Sequence, residues 1–452
     1  MTSLPTNNYE GNDTAMFRSC MVQSRHSGNG SNHFLPSRGT EKAERKFSMS
    51  LSTPQQSKEA NKDSFVKTVW EIGSIDTLPN AANIFPLERS RVSVNGGVSP
   101  NTIGQRIVDC LKYLSITIVS KRRYKLVAES LDCDVRFNIK LYKEKYDCDD
   151  VSSSEGYRVM VELQKKSGCS INFASIARTI LQMAESGKYN RHYEEDILPP
   201  CGSPLSPPPN KQAIEDPLAL ALMRYRSSIE MEEENISFLS LDLKRTAASI
   251  RSNRMDLSLL GMKKLVFLTS THITSNSTAL FVAKLVLGND VVDSKDDSLD
   301  LSSLIKSFVS VDICDEEDVK DNTFFGEYVN KMHYYALTVL ANSMHVVWSS
   351  YGGEFGYLQQ ILCTDGWLEK KHGLLPRLID KLVHSEKRPY DAYQVMRCLN
   401  IVFQVSSPKV NLKAMEWGAM SAIYSARDIG HSCHSLLERE SELAMKTLIN
   451  AI

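Results

Sequence analysis

The sequence lacks the short patterns that mark most enzymes and metalloproteins. It contains no CxxC pair, although ten cysteines are spread along 452 residues, and it has no GxxxxGK[ST], HExxH or GxSxG motif and no GxGxxG after a strand. Zinc-ribbon, P-loop, dinucleotide-binding, zincin and hydrolase chemistry therefore have no motif to support them. We expect no catalytic residue, no metal and no cofactor. An enzyme whose catalytic groups converge only in space, within the helical region, is the alternative that this leaves open.

Long apolar runs and an excess of one charge are also missing. No run of about 18 apolar residues occurs, and the N-terminal stretch MTSLPTNNYEGNDTAMF has neither a basic region nor a continuous apolar region. We therefore expect a cytoplasmic protein with reduced thiols. The 53 Lys and Arg residues balance 54 Asp and Glu residues, which excludes the overall basic excess of a protein that coats nucleic acid by charge. No nucleic-acid partner is expected.

Shifts in composition divide the chain into five segments. Residues 1–64 are rich in Ser, Thr, Asn, Gln and Gly, and they predict a disordered tail. Residues 65–101 predict a linker or a docking segment, with a strand of the next domain as the open alternative. Residues 102–187 have the sharpest pattern. Residues 188–216 include CGSPLSPPPNK and predict a Pro-rich linker, and residues 217–452 have a helical period.

The 102–187 segment predicts a small α+β domain. An amphipathic helix opens it, four strand candidates follow, and a second amphipathic helix closes it after Ser167 and Gly168. The third strand alternates apolar and polar residues, which is typical of a sheet with one face in water. We expect two layers, with two helices on one face of a four-stranded antiparallel sheet. The strand candidates are 115–119, 124–130, 134–142 and 157–164.

Two stretches of this segment, VRFNIKLYKEK from 135 to 145 and YRVMVELQKKSGCSINFASIARTIL from 157 to 181, carry a resemblance. With the order of the elements, they are similar to the kinase-associated-1 domain, found at the C-terminus of kinases related to the AMP-activated and microtubule-affinity-regulating kinases. The resemblance implies a regulatory module that binds anionic phospholipid head groups, or one that packs against a kinase catalytic domain. The chain has no kinase signature, so any action on a kinase would be in trans.

The helical region resembles an armadillo or HEAT type α-solenoid. The resemblance rests on LLPRLIDKLV from 374 to 383, YQVMRCLNIVFQV from 393 to 405 and LKAMEWGAMSAIYSA from 412 to 426. It implies an all-α array that binds a protein partner, and an irregular helical bundle is the alternative. The segments with helical spacing are 217–230, 235–251, 256–270, 277–288, 300–310, 324–350, 354–371, 373–385, 389–406 and 410–450.

Basic residues concentrate in the α+β segment. Residues 102–188 contain 15 Lys and Arg against 11 Asp and Glu, a local charge of +4. Such a cluster predicts a site for lipid head groups or another anion, because each basic side chain near an anionic membrane contributes on the order of 1 kcal/mol. A solvated sheet face that only keeps the domain soluble is the alternative. The predicted anion-binding residues are Lys121, Arg122, Arg123, Lys125, Arg136, Lys140, Arg158, Lys165 and Lys166.

The run HSCH places three potential metal ligands, His431, Cys433 and His434, within four residues. A tetrahedral metal site needs a fourth ligand, and no second pair lies nearby in the sequence. On a continuous helix His431 and His434 would share a face, whereas Cys433 would not. The run is therefore not predicted to bind a metal.

Two serines in the Pro-rich linker are candidate phosphorylation sites. Ser203 and Ser206 both precede a proline in the sequence SPLSPPP. A phosphate there would add negative charge between the two folded parts and could change how they are arranged. A plain spacer is the alternative.

These features predict a non-enzymatic regulatory or adaptor protein. The α+β module would engage an anionic membrane or another acidic surface, and the helical repeats would bind a protein partner, so that two weak contacts reinforce each other. The protein would be cytoplasmic, and peripheral to a membrane where the basic surface meets lipid. The alternative is a trans-acting regulatory partner of a kinase related to the AMP-activated kinase. No small-molecule substrate is identified.

Overall fold

The chain is described by a computed structural model over nine stretches of sequence. The predicted tail, the helical segment 217–230 and most of the Pro-rich linker, with Ser203 and Ser206, lie outside them. The contacts of Asp63–Ile452 cluster as one unit. Within it we refer to a sheet part, residues 69–188, and a helical part, residues 237–450. The described stretches are 69–81, 90–94, 97–146, 156–188, 237–288, 300–311, 323–351, 356–369 and 373–450.

An antiparallel sheet of five strands forms the centre of the sheet part, in the order β1-β5-β4-β3-β2. The prediction of a mixed α+β fold is confirmed, but the prediction of four strands is wrong. The additional strand, β1, consists of only four residues, too short for its alternation to stand out among the prolines and glycines around it. The strands are β1 Arg91–Val94, β2 Thr117–Arg122, β3 Lys125–Ser130, β4 Val135–Tyr146 and β5 Gly156–Gly168.

Two helices cover one face of this sheet, as the apolar spacing predicts. Helix α1, Pro100–Tyr113, begins at a Ser99 cap whose side chain accepts a hydrogen bond from the Thr102 N–H group. Helix α2, Ser170–Ser186, ends at Gly187, whose φ of 65° is the left-handed conformation that favours glycine. The buried residues of both helices pack on the inward side chains of β3, β4 and β5.

The segment that precedes the sheet belongs to the same core. Trp70 is 2% exposed, and its indole N–H donates to the Arg122 carbonyl oxygen at 2.8 Å. Ile72 is also buried, and its N–H donates to the Asn101 side-chain oxygen at 2.9 Å. Trp70 and Ile72 therefore belong to the core of the sheet part.

Replacement of Trp70 should destabilise the sheet part. We expect Trp70→Ala to lower the free energy of unfolding by about 3–5 kcal/mol, because it leaves a large cavity in a close-packed core. Val69→Ala is the matched control, since Val69 is 53% exposed and its loss should cost less than about 0.5 kcal/mol. Urea unfolding of the full chain measures both. A loss below about 1 kcal/mol for Trp70→Ala would contradict the packing.

Twelve helices are described in the helical part, and their number exceeds the number of predicted segments there. Segment 354–371 gives two helices, and segment 410–450 gives three, because the chain breaks at Gly418, with a φ of 84°, and at extended His434. Continuous apolar spacing concealed these breaks. The helices are α3 237–250, α4 Met255–Leu268, α5 Asn276–Leu287, α6 Leu301–Val309, α7 Thr323–Ser350, α8 Gly356–Leu362, α9 Asp365–Leu368, α10 Leu374–Val383, α11 Pro389–Val405, α12 Pro408–Glu416, α13 Ala419–Cys433 and α14 Ser435–Asn450.

Helices α7 and α11 lie at the centre of the helical part. Fifteen of the 17 residues of α11 are buried, as expected for a helix that is enclosed on all sides. It packs against α7, α10, α13 and α14, while α7 also packs against α4, α5 and α6. Most of the other described helices of this part therefore pack directly on this pair.

Candidate functional site

The face of the sheet opposite α1 and α2 carries the polar residues of each strand. Along β4, Val135, Phe137, Ile139 and Leu141 are buried in the core shared with the two helices. Because side chains alternate along a strand, the residues between them point to the other face. The same alternation places Lys125 of β3 on that outer face, since its neighbour Leu126 is buried in the core.

One row of residues runs across this outer face from edge to edge. Arg122 of β2 is the register partner of Lys125 in β3, and Lys125 is the partner of Lys140 in β4. The row continues from Lys140 to Glu162 of β5 and from Glu162 to Arg91 of β1. We call Arg122, Lys125 and Lys140 the basic row. The sequence pattern predicted these residues as anion-binding candidates, but not that they stand side by side.

The charges of the basic row repel one another. Residues directly opposite in an antiparallel pair have Cβ atoms about 5 Å apart, and like charges there are destabilising. Desolvation, followed by the charges of Lys166, Lys140 and Arg122, lowers the pKa of Lys125. Farther along the row, the buried carboxylate of Glu162 accepts hydrogen bonds from the Arg91 guanidinium, with its Nε at 2.8 Å. The acid of the row is thus hydrogen-bonded to Arg91, and neither Arg122 nor Lys125 has a carboxylate directly opposite it in the row.

Two further predicted residues lie near the basic row. Lys166 is close enough for its charge to act on Lys125. Arg123 is exposed in the two-residue turn between β2 and β3, directly beside Arg122. Exposed Tyr124 occupies the other position of this turn.

Four predicted residues are placed elsewhere. Lys121 pairs in register with inward-facing Leu126, so it points away from the outer face. Arg136 forms an ion pair with Glu327 of α7 at 2.8 Å. The Nζ of Lys165 donates to the Gly168 carbonyl oxygen and to Ser170, and Arg158 lies opposite Glu144 near the far end of β5. The structure therefore brings part of the predicted cluster together and separates the rest.

Hydrogen bonds join the sheet part to the helical part. The Tyr390 hydroxyl, at the start of α11, donates to the Glu129 carbonyl oxygen at 2.6 Å and accepts from the Thr117 N–H at 3.2 Å. The Tyr334 hydroxyl of α7 donates to the Asp132 carboxylate. Burial raises the pKa of both tyrosines, so each hydroxyl keeps the proton that it donates. The contact between the two parts is thus specific as well as apolar.

Loss of the Tyr390 hydroxyl should weaken this junction. We expect Tyr390→Phe to lower the free energy of unfolding by about 1–2 kcal/mol, because a partly buried N–H loses its partner and the Glu129 carbonyl is left with only the Thr117 hydroxyl. Tyr424→Phe on α13 is the control, since Tyr424 is 45% exposed. Chemical denaturation measures both variants. Equal stability of Tyr390→Phe and the unchanged protein would show that the junction does not depend on this hydroxyl.

A cleft of about 440 Å³ lies between the two parts. We call it the junction cleft. Its sheet side is formed by α1 and the edge strand β2, and its helical side by α7, the start of α11 and the end of α13. More of its lining surface is apolar than polar. Volume and lining both fall within the range of small-ligand sites, which occur preferentially where two parts of a protein meet.

The ionisable groups at the junction cleft favour binding over catalysis. Asp391 lines the cleft and is held by His333 Nδ1 at 3.0 Å and Arg388 at 3.4 Å. Cys433 also lines the cleft, but burial raises the pKa of its thiol to about 11. A protonated thiol is a poor nucleophile. The arrangement therefore offers an apolar wall and fixed charges rather than an activated nucleophile.

The HSCH residues do not form one site. The chain leaves α13 at Cys433, so His431 and His434 do not share a helical face. The Nδ1 of exposed His431 lies 2.6 Å from Glu438, whereas His434 is fully buried beside the ring of Tyr390. Its Nδ1 accepts a hydrogen bond from the Leu437 N–H and caps α14. Among the described residues, no group of three His, Cys, Asp or Glu side chains could hold a metal ion.

His434 should make stability depend on pH. Burial lowers its pKa from the usual 6.5 to about 3, so the folded protein keeps the imidazole neutral. Only the unfolded chain takes up the proton below pH 6.5. The stability linked to the neutral ring is therefore complete above that pH and is lost as the pH falls, by about 1.4 kcal/mol per pH unit.

His434→Asn isolates this effect, because asparagine can still cap α14 but does not titrate. We expect its free energy of unfolding to fall less steeply than that of the unchanged protein between about pH 6.5 and pH 5. His345, whose pKa burial lowers to about 4, contributes equally to both proteins. Urea unfolding at several pH values measures the two slopes. Identical slopes would contradict a neutral, buried His434.

No family model matches the sequence, and no curated protein matches it significantly. Within the described residues, none of the helices combines the length and the apolar character that a bilayer crossing requires.

Two features of these surfaces were not predicted from the sequence. Arg91 belongs to a strand too short to be recognised, although its alternation with Val92 and Val94 is a weak signal. The junction cleft depends on contacts between residues nearly 300 positions apart, such as Thr117 and Tyr390. No local pattern carries that information.

Proposed function

We propose that the protein is a non-enzymatic adaptor that engages an anionic membrane surface through the basic row. The observation that carries this proposal is the set of two like-charge pairs, Arg122 with Lys125 and Lys125 with Lys140, placed directly opposite each other in the sheet. Such pairs cost stability in the free protein. An anionic surface relieves the repulsion, because it binds the charged groups that the fold holds together.

The surroundings of the basic row suit a membrane. Lys166 adds positive charge near Lys125, Arg123 is exposed in the turn beside Arg122, and Tyr124 is 43% exposed in the same turn. Tyrosine places its ring among lipid head groups while its hydroxyl stays in water. The resemblance of residues 102–187 to the kinase-associated-1 domain supports the same function.

The helical part would supply the second contact, with a protein partner. Its prediction as an armadillo-like array remains part of this proposal. Two weak contacts, one with lipid and one with protein, would together give recruitment to a membrane in the cytoplasm. Phosphorylation of Ser203 or Ser206, outside the described residues, would regulate it.

The variant Lys125→Glu tests this function by separating binding from stability. It turns two repulsive pairs into attractive ones, so we expect the free energy of unfolding to rise by roughly 0.5–1 kcal/mol. The same change alters the charge of the binding face by two units, which weakens binding to anionic vesicles by about 2 kcal/mol, or roughly 30-fold. Flotation of the full chain with phosphatidylcholine vesicles, with and without phosphatidylserine, measures binding at low and physiological salt.

Lys413→Glu is the matched control, because Lys413 is exposed on α12 and the change in charge is the same. It should leave vesicle binding unchanged and should not raise stability. Binding of the unchanged protein that needs phosphatidylserine and weakens with salt supports the proposal. No binding at low salt, or equal loss in both variants, would overturn it and direct attention to a kinase or another protein partner.

A further inference from the structure

We infer that the junction cleft binds an amphipathic anion, a small molecule with an apolar body and one anionic group. This ligand is different from the membrane surface proposed above, and its site is on the edge of the sheet rather than on its outer face. The proposal rests on the shape of the cleft, its apolar wall and the charges around it.

The apolar wall comes from both parts of the chain. Ile116, Ile118 and Val119 line the cleft from the sheet part, and Ile429 and Pro389 line it from the helical part. Val119 is 47% exposed, although it lies on a strand beside a large core. An apolar ligand body would remove this surface from water, which is the main source of affinity in such sites.

The charges around the junction cleft favour an anion. Two of its four carboxylates are already paired, Glu327 with Arg136 and Asp391 with Arg388. The lysines Lys112, Lys331 and Lys387 also line the cleft, and none of them forms an ion pair with another described residue. They are opposed by Glu129 and Glu386. The balance of unpaired groups is therefore positive, and a cationic ligand would be repelled.

A ligand in the junction cleft would affect the contact between the sheet part and the helical part. A bound molecule would contact β2 and α11 together, next to the Tyr390 hydroxyl that joins them. A ligand that binds only the assembled junction must stabilise it, by linkage. The ligand would therefore hold the sheet part and the helical part in the arrangement that the Tyr390 hydrogen bonds join.

Four probes separate the contributions of apolar body and charge. They are 1-naphthalenesulfonate, the neutral 1-naphthalenemethanol, the cationic 1-naphthalenemethylammonium and inorganic sulfate, each titrated into the full chain by calorimetry. We expect 1-naphthalenesulfonate to bind one site with a Kd of about 1 mM or lower and to raise the melting temperature. The other three should bind at least about fivefold more weakly, since each lacks one of the two features.

Four variants locate the site. Ser432→Trp fills the cleft from α13 and should abolish binding, whereas Ser425→Trp, on the same helix but outside the lining, should not. The exposed change Lys387→Gln, combined with Lys331→Gln, should weaken the sulfonate at least about threefold and leave the neutral alcohol unchanged. Lys125→Glu should not affect the probes, which distinguishes this site from the basic row.

The double lysine variant keeps the test decisive if Ser432→Trp does not fold. No binding of 1-naphthalenesulfonate below about 10 mM would overturn the proposal, since affinity expected of a fitted aromatic anion is higher. Equal binding of the sulfonate and the cationic probe, or full binding by Ser432→Trp, would also overturn it. Sulfonate binding that is lost in Lys125→Glu but kept in Ser432→Trp would place the anion on the basic row instead.

Discussion

The placement of Tyr390 is the constraint on which the junction between the two parts depends. Its hydroxyl bonds to backbone groups of β2 and β3, and its ring lies beside buried His434. Tyr390 also begins the helix that forms the centre of the helical part. The sheet and the helical core are therefore held against each other by this side chain together with Tyr334 and Arg136, and the walls of the junction cleft follow from that position.

The outer face of the sheet shows a different relation between stability and function. A chain selected only for stability would place opposite charges across the strands, since like charges facing each other are unfavourable. Here the fold pairs Glu162 with Arg91 but leaves Arg122, Lys125 and Lys140 adjacent. This loss of stability is small compared with the stabilisation that comes from the apolar core under the sheet, where Phe137 and Ile139 are fully buried.

The sequence predicted what local periodicity determines. The alternation from Val135 to Tyr142 identified β4 and its buried face, and the spacing of Ile103, Ile107 and Leu111 identified α1. Four-residue β1 could not be found, because two inward side chains do not establish a period. The basic residues were predicted as one cluster, but their arrangement needed the register, which places Lys140 beside Lys125 and leaves Arg136 with α7. The junction cleft needed tertiary contacts that no single segment encodes.

The edge strand β2 has a further consequence for the behaviour of the protein in solution. An unpaired strand edge is a template on which another chain can add a strand and begin aggregation. At one end of β2 the Thr117 N–H is bonded to Tyr390, and at the other end the Arg122 carbonyl is bonded to Trp70. Two aromatic side chains, each from outside the sheet, thus contact β2 at its two ends. Separation of the helical part, or displacement of the segment that carries Trp70, would remove one of these contacts and leave that end of the edge strand more open to pairing with another copy.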